Sequence, residues 1–382
     1  MVMDTLLAEL IALRRELHRH AELADHEFGT RQIIRSFLVR TQPGEIFDDL
    51  GGTGLAAVYD SGKPGKTLLF RADIDALPID EGVVLPHASG TAGVAHKCGH
   101  DGHAAVLCGL AALLKRQGVP RGKVVLVFQP AEETGTGAAR VLADDRLIRL
   151  APDWAFAFHN LPGYETGSVV VKSGPFASAS RGMIVRLTGR VAHAATPENG
   201  VNPALALAEI IQCFQRLNSA PELFTGFVLT TIIHASLGER AFGTSAGQAE
   251  ILATLRSHDN RNMARLGEEC LSAAQAIARR HGLGITTAWA DEFTETRNHP
   301  EAVSVIERAA GANSCPVHHL AEPMRWSEDF GQFTARIPGA MFGLGAGRDH
   351  AALHAGEYDF PDEIIGIGVR LLARIGTILL AV

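Results

Sequence analysis

The sequence predicts an α/β protein with a mostly parallel β-sheet that is covered by helices on both faces. Two observations predict this class: short apolar runs such as KVVLVF at 123–128 alternate with helical segments, and these runs are apolar at nearly every position. Strands of that composition are typical of parallel sheets with both faces buried. A third observation, a change of pattern near residue 181, predicts a second domain inserted into the first. A chain of 382 residues is long enough for both domains.

Hydrophobic periodicity assigns the elements of the first part of the chain in order. Two helices come first, at 5–20 and 30–40. The predicted strands that follow are 67–70, 123–128 and 154–158, and the predicted helices between them are 102–116 and 137–150. This alternation favours a parallel sheet, because parallel strands need a crossover connection between them.

Residues 181–292 follow a different order. The predicted elements are a strand at 183–188, a helix from Asn202-Pro203 to Leu217, strands at 227–233 and 249–255, a helix at 260–280 and a strand at 284–290. This β-α-β-β-α-β order is the ferredoxin-like, or split βαβ, arrangement. The α/β pattern then resumes, with a helix from Pro300, a helix entered at Ser327, a strand at 340–344 and a final helix from Asp362. We therefore expect an inserted domain at 181–292 between two parts of a main domain, 1–180 and 293–382.

Composition excludes several classes of function. The chain is 46% hydrophobic and 20% charged, with a net charge of −7 and no long basic run, so a nucleic-acid partner or a membrane-surface partner is not expected. The apolar run 104–114 is too short for a bilayer span of about 20 residues. The first residues read as an amphipathic helix rather than a secretory signal, and five scattered cysteines do not form a disulfide framework. We expect a soluble, cytoplasmic protein.

Polar residues follow the predicted strands at the points where they end. In an open parallel sheet these carboxyl ends meet at one edge, where ligands bind. The residues concerned are Asp73 and Asp75 after TLLF, Glu132 and Glu133 after KVVLVF, His159 after WAFAF, and Cys98 and His100 just before the helix at 102–116. Each has a simple structural explanation by itself, as a turn or capping carboxylate, a core histidine or a buried thiol. Their convergence on one edge favours a metal site.

A thiolate, imidazoles and carboxylates together suit Zn²⁺, with manganese, nickel or cobalt as alternatives. A structural zinc site is closed by four ligands, commonly including several cysteines at short spacing, whereas this cluster contains one. The mixed set instead predicts a catalytic site with open positions, which holds either one ion or two ions that share a water.

Six motifs occur in the order RADIDALP at 71–78, HKCGHDGH at 96–103, FQPAEE at 128–133, GRVAHAATPENGVNP at 189–203, SEDF at 327–330 and LH at 353–354. Together they resemble the di-metal amidohydrolase branch of the aminoacylase and carboxypeptidase G superfamily. That branch includes hippurate hydrolase, the auxin-conjugate hydrolases and N-acetyldiaminopimelate deacetylase. The resemblance spans essentially the whole chain, and it implies that the main domain is catalytic and that the insert is a lid and dimerisation domain.

The resemblance also implies a role for each site residue. The metal ligands of the family fall on Cys98, His100, Glu133, His159 and His354. Its general base falls on Glu132, and Asp75 matches an acidic residue that braces the metal site. His193 matches a lid histidine that stabilises the oxyanion and that, in dimeric relatives, comes from the partner subunit. The LH motif selects His354 over the nearby His350, while His96 and His103 stay undecided, with supporting or structural positions favoured over ligand positions.

The implied reaction is hydrolysis of the amide bond of an N-acyl amino acid or a similar small conjugate. The implied cofactors are two divalent ions, zinc or manganese with nickel or cobalt as alternatives, and the implied assembly is a homodimer formed through the lid. Gly243, Glu198 and Ala355 depart from the common family pattern, so the acyl group and amino acid stay open. The alternatives are a dipeptidase or aminopeptidase of the same superfamily and a non-catalytic ligand-binding relative. A zinc nucleobase deaminase would need a C-x-x-C motif, which the chain lacks.

Overall fold

The computed structural model describes residues 2–381, which divide into two compact units. The first unit runs up to Phe176 and also contains Thr296–Glu322 and the chain from Asp329 onward. The second unit contains Ala177–Glu295 together with Pro323–Glu328. The units therefore divide after Phe176 and after Glu295, where the sequence predicted boundaries after residues 180 and 292.

The described residues form ten α-helices. They are α1 (Val2–Arg19), α2 (Phe28–Thr41), α3 (His100–Gln117), α4 (Gly137–Leu142), α5 (Asp145–Leu150), α6 (Ala204–Leu217), α7 (Asn260–Arg280), α8 (Pro300–Ala312), α9 (Gly331–Thr334) and α10 (Ile365–Leu380). Two short 3₁₀ helices lie at Pro197–Asn199 and Asp362–Ile364. None of the helices in this part of the chain has the length and hydropathy of a membrane span.

Sixteen strands lie in the same described range. They are β1 (Glu45–Leu50), β2 (Gly54–Asp60), β3 (Thr67–Asp73), β4 (Lys123–Gln129), β5 (Trp154–Pro162), β6 (Val169–Val171), β7 (Gly174–Ala177), β8 (Ala179–Thr188), β9 (Ala192–His193), β10 (Val228–Leu237), β11 (Thr244–Ser245), β12 (Gln248–Ser257), β13 (Gly284–Phe293), β14 (Thr296–Asn298), β15 (Val317–His319) and β16 (Gly339–Gly347).

The first unit is built on an eight-stranded sheet in the order β1-β2-β4-β3-β5-β16-β6-β15. The central strands pair in parallel, β3 with β4 and β5, and β5 with β16, while β1, β2 and the β6–β16 contact are antiparallel. The predicted mixed α/β fold with a large, mostly parallel sheet is confirmed. Strands β3, β4 and β5 are almost wholly buried, and residues of α1, α2, α3, α8 and α10 share one apolar core with them.

The structure corrects several predicted elements. Strands β1 and β2 were not predicted. The single helix predicted at 137–150 is two helices, because Asp144 leaves the helical conformation and its carboxylate caps α5 by accepting the N–H of Arg146. The helix predicted from Ser327 is only the short α9. Strand β5 continues through His159 and Asn160 instead of ending before them.

The second unit has its own antiparallel sheet, in the order β10-β12-β8-β13. Helices α6 and α7 pack against one face of this sheet, and a separate apolar core includes Met183, Phe214, Ile251 and Leu266. Along the chain these elements follow the order strand, helix, strand, strand, helix, strand. A small additional pairing joins β9 to β11, with His193 opposite Thr244.

Candidate metal centre

Four of the five predicted ligands lie near β4, β5 and the start of α3: Glu133 follows β4, His159 lies within β5, and Cys98 and His100 flank the start of α3. Gly99 makes the connection into α3 with a φ of +95°, and a Cβ there would meet Oδ1 of Asn160 at 2.3 Å. Only glycine fits a left-handed position with so little space. The turn at Gly99 therefore brings the side chains of both its neighbours, Cys98 and His100, close to His159 on β5.

Five predicted ligands come together in two groups of three. The donor atoms of Cys98, His100 and His159 lie within 4.8 Å of one another, and so do those of Cys98, Glu133 and His354. The two groups share Cys98. A further group contains His100 and Glu133 with Glu132, which places the predicted base beside the ligands.

The distances within the cluster join atoms that come from distant parts of the chain. Sγ of Cys98 lies 3.4 Å from Nε2 of His159. Oε1 of Glu133 lies 3.8 Å from Nε2 of His100 and 3.7 Å from Nε2 of His354. Cys98, His100 and His159 are buried, whereas the side chain of His354 is 51% exposed.

Hydrogen bonds orient two of the imidazoles toward the cluster. Nδ1 of His100 lies 2.9 Å from the backbone oxygen and 3.2 Å from Oδ1 of Asp75. Nδ1 of His159 lies 2.8 Å from the backbone oxygen of Asn160. In both rings a bond at Nδ1 leaves Nε2 as the nitrogen that faces the other donors, which is the usual arrangement of metal-binding histidines.

The donor set fits divalent ions. Within residues 2–381, Nε2 of His100 and Oε1 of Glu133 are buried and have no hydrogen-bond partner, although a buried polar atom without a partner is costly. Burial lowers the pKa of His100, but Asp73, Asp75 and Glu133 outweigh it and raise that pKa to about 10. Burial raises the pKa of Glu133 to about 7. The cluster therefore attracts positive charge, and a bound cation would be a partner for Nε2 of His100 and for Oε1 of Glu133.

The two other imidazoles favour the neutral state that a metal ligand needs. Burial lowers the pKa of His159 well below its usual value. Burial and the nearby His100 also lower the pKa of His354. Neutral nitrogen donors and anionic oxygen and sulfur donors thus occur in the same cluster.

The remaining histidines near the cluster have other positions. Both ring nitrogens of His103 are engaged, Nδ1 at 2.6 Å from Asp73 and Nε2 at 2.6 Å from Oδ1 of Asn160. His96 is buried and belongs to none of the donor groups found among the described residues. Nδ1 of His350 lies 3.2 Å from a backbone oxygen, and its ring packs against Tyr358.

Glu132 lies in a turn after β4, and two hydrogen bonds to residues outside this turn stabilise it. The backbone N–H of Asp329 donates to Oε1 of Glu132 at 3.2 Å. The preceding residue, Ala131, has a φ of +52°, and its N–H donates to the buried carboxylate of Glu27 at 2.8 Å. Because Glu132 is itself buried, these contacts give its carboxylate a defined position.

The sequence did not assign roles to Asp329 and Arg71, which support this turn. The Arg71 guanidinium donates to Asp73 at 2.6 Å and to Asp329 at 2.7 Å. Gln129 binds both Arg71 and Asp329. The signal for this network was present, since both charged residues lie in the RADIDALP and SEDF motifs, but nothing in the sequence indicated that they pair.

His193 belongs to the second unit, where it lies on β9 and is exposed. Its Nδ1 accepts the N–H of Ala195 at 3.1 Å, and the next residue, Ala194, donates to the backbone oxygen of Gly243. The position that departs from the family pattern, Gly243, thus directly neighbours the predicted lid histidine.

Comparison with known proteins identifies the family. Residues 69–377 match the model of peptidase family M20/M25/M40. The chain belongs to this family. It is 32% identical over 374 residues to an N-acetylcysteine deacetylase of Bacillus subtilis, covering 97% of both chains. It is 30% identical over 363 residues to an N-acetyldiaminopimelate deacetylase of the same organism, covering 91% of this chain and 93% of the relative.

A solved M20 structure shares the fold. It is a dinuclear metal-binding peptidase of Bacillus subtilis, 28% identical, with a TM-score of 0.84 over 99% of both chains. The resemblance predicted from the six motifs and the predicted enzyme class, an amidohydrolase, are confirmed. A dinuclear relative agrees with two donor groups that share one residue.

Proposed function

We propose that this M20 protein is a metal-dependent amidohydrolase that cleaves the amide bond of N-acyl amino acids. The observation that carries the proposal is the pair of donor groups sharing Cys98, with Glu132 beside them. Both relatives described above are deacetylases of N-acetylated amino acids, which supports a substrate of this class.

We assign one divalent ion to Cys98, His100 and His159 and a second to Cys98, Glu133 and His354. Zinc and manganese are the proposed metals, with nickel or cobalt as alternatives, because the set combines sulfur, nitrogen and oxygen donors. When bound, such ions supply Lewis acidity that polarises a carbonyl group and acidifies a water molecule. Asp75 is the residue that holds His100 and Glu133 in position.

Glu132 is the proposed general base. It accepts a proton from the water whose oxygen attacks the carbonyl carbon, and it delivers that proton to the amine nitrogen as the carbon–nitrogen bond breaks. The products are a carboxylate and an amine. The N–H of Asp329 and the turn at Ala131 keep this carboxylate from rotating away.

His193 is proposed to stabilise the oxyanion that develops on the carbonyl oxygen. This role follows from the family motif at 189–203, and the exposure of His193 within its own unit leaves its ring available. The second unit would then act as a ferredoxin-like lid, joined to the catalytic domain at both of its ends.

We further propose that two copies of the protein form a homodimer through their second units. Strand β10 is an edge strand of its sheet, and it exposes 61% of Ile233 and 40% of Leu237. Exposed apolar edge strands are templates for pairing with another chain. Light scattering would detect the dimer, and Ile233→Lys should convert it to a monomer; a wild-type chain that runs as a monomer would contradict the proposal.

A cytoplasmic location is also proposed, because the ligand role of Cys98 needs a thiolate. All five cysteines of the described chain are thiols, and a reducing compartment preserves them in that state.

The activity is tested by measuring the release of acetate or benzoate from a panel of N-acyl amino acids. We expect release that a chelator abolishes and that Zn²⁺ or Mn²⁺ restores. Unblocked dipeptides run in parallel test the dipeptidase alternative. A metal-loaded protein that hydrolyses only the dipeptides, or neither class, would contradict the proposed function.

A further inference from the structure

His354 is held differently from the other predicted ligands. Cys98, His100 and His159 are fixed by burial in the core, but the side chain of His354 is 51% exposed. It lies in a turn-and-loop segment between β16 and α10, with a φ of +64°. Packing covers only about half of this side chain, so the position of His354 depends strongly on how its backbone is held.

Lys97 fastens that backbone at two points. The backbone oxygen of Lys97 accepts the N–H of His354 at 2.8 Å. Its Nζ donates to the backbone oxygen of Tyr358 at 2.9 Å. Lys97 thus forms hydrogen bonds with the backbone of the 354–358 segment at both of its ends, His354 and Tyr358.

Glu81 holds Lys97 in this position. Nζ of Lys97 forms an ion pair with Oε2 of Glu81, and Lys97 is fully buried. The other oxygen of Glu81 is occupied by Nε2 of His18 at 2.7 Å and by the N–H of Ser89 at 3.1 Å. A buried lysine needs such a partner, because an unpaired charge in the interior is strongly unfavourable.

A further contact joins the same two segments. The N–H of Gly82, next to Glu81, donates to the backbone oxygen of Gly356 at 2.8 Å. A Cβ on Gly82 would lie 2.6 Å from the backbone of Gly356, so the two glycines allow the close approach. Residues 81–82 and Lys97 therefore hold the loop on which His354 is carried.

We propose that Lys97, held by Glu81, is a positioning residue for the metal site formed by Cys98, Glu133 and His354. The proposal rests on the proposed function, and it adds a support that acts on His354, which is a ligand of only one of the two metal sites. Lys97 contacts neither a metal ligand side chain nor substrate in this role. Its loss is expected to release His354 while the buried group of Cys98, His100 and His159 persists.

The test measures metal binding without substrate. Apo wild-type protein, Lys97→Met and the surface control Lys123→Met are titrated with Mn²⁺ or Zn²⁺ alone by calorimetry, and bound metal is counted by elemental analysis. We expect two ions for the wild type and for the control, whose ion pair with Asp60 is exposed. In Lys97→Met the first ion should bind with unchanged affinity, and the affinity for the second should fall about 10–100-fold.

A double variant separates positioning from stability. Lys97→Met leaves the partly buried carboxylate of Glu81 without its lysine partner, so Lys97→Met/Glu81→Gln should recover thermal stability. The affinity for the second ion should stay low, because the hydrogen bond from Nζ of Lys97 to the backbone oxygen of Tyr358 is still missing. Hydrogen exchange should rise in residues 354–359 and stay unchanged in 98–103.

The outcomes distinguish the two proposals. A wild-type protein that binds fewer than two ions would contradict the proposed function itself. Two ions at wild-type affinity in Lys97→Met, loss of both ions, or recovery of the second ion in the double variant would each overturn the positioning role of Lys97.

Discussion

Asp75 and Glu133 are joined by a hydrogen bond in which Oδ2 of Asp75 accepts the backbone N–H of Glu133 at 2.9 Å. The second oxygen of the same carboxylate lies 3.2 Å from Nδ1 of His100. One buried carboxylate thus sets the positions of two proposed ligands that are 33 residues apart in the sequence, one on α3 and one after β4.

Substitution Asp75→Ala should therefore weaken metal binding without removing a ligand. Partners that orient ligands typically contribute about 10–100-fold to metal affinity, and we expect a loss of that size in calorimetric titrations with Zn²⁺. Asp60→Ala is the matched control, because Asp60 also accepts a backbone N–H but lies at the surface. Equal affinities for the two variants would contradict this role of Asp75.

The adjacent glutamates should separate metal binding from proton transfer. Glu132→Ala is expected to lower kcat by about 10²–10⁴-fold, the usual contribution of a general base, while the metal content is kept. Glu133→Ala and His159→Ala should lose metal as well as activity. Elemental analysis beside steady-state kinetics measures both, and an active, metal-loaded Glu132→Ala protein would show that Glu132 is not the base.

The ion pairs of Arg71 should contribute strongly to the stability of the first unit. Arg71, Asp73 and Asp329 are all buried, and Arg71→Met removes the guanidinium that the two carboxylates share. Removing one partner of a buried pair costs about 3–5 kcal/mol of unfolding free energy. Urea unfolding measures this loss. Arg146→Met, which breaks a partly exposed pair with Asp144, should cost only about 0–1 kcal/mol, and similar losses in both variants would refute the expectation.

His18 should make stability depend on pH. Burial lowers the pKa of His18, but hydrogen bonds to Asp101 and Glu81 outweigh it and raise the pKa above the ordinary value. The charged and titratable groups around its ring are Asp101, Glu81, Asp359, His87, His96 and, through Asp101, Arg14. A raised pKa in the folded state means that protonated His18 stabilises the fold fully below about pH 6.5. That contribution is lost as the pH rises through the higher folded pKa.

The check compares wild type with His18→Gln in urea at pH 5.5 and at pH 9. The difference in unfolding free energy should be larger at pH 5.5 and should shrink at pH 9. A difference that grows with pH would mean that the histidine is bound in its neutral form.

Much of the first unit was predictable because its strands are locally distinctive. Continuous apolar segments at β3, β4 and β5 indicate a buried parallel sheet, and the position of Asp75, Glu133 and His159 after these segments groups the three residues from the sequence alone. Strand β1 escaped prediction because EIFDDL is an edge strand of mixed polarity. The break between α4 and α5 escaped because helical periodicity continues across Asp144, whose capping bond is a local competitor to the helix.

The sequence by itself determined the class of fold and the donor types available for metal ions, and through the six motifs it predicted which residues supply them. Only the tertiary structure decided which atoms face one another. It directs Nε2 rather than Nδ1 of His100 toward the other donors, and it places Cys98 in both donor groups. It also brings the buried Lys97 into hydrogen-bond contact with the loop that carries His354. The physical reason is that hydrophobic patterning and residue type are properties of neighbours along the chain. Orientation and pairing depend instead on hydrogen bonds between segments that folding brings together from as far apart as Arg71 and Asp329.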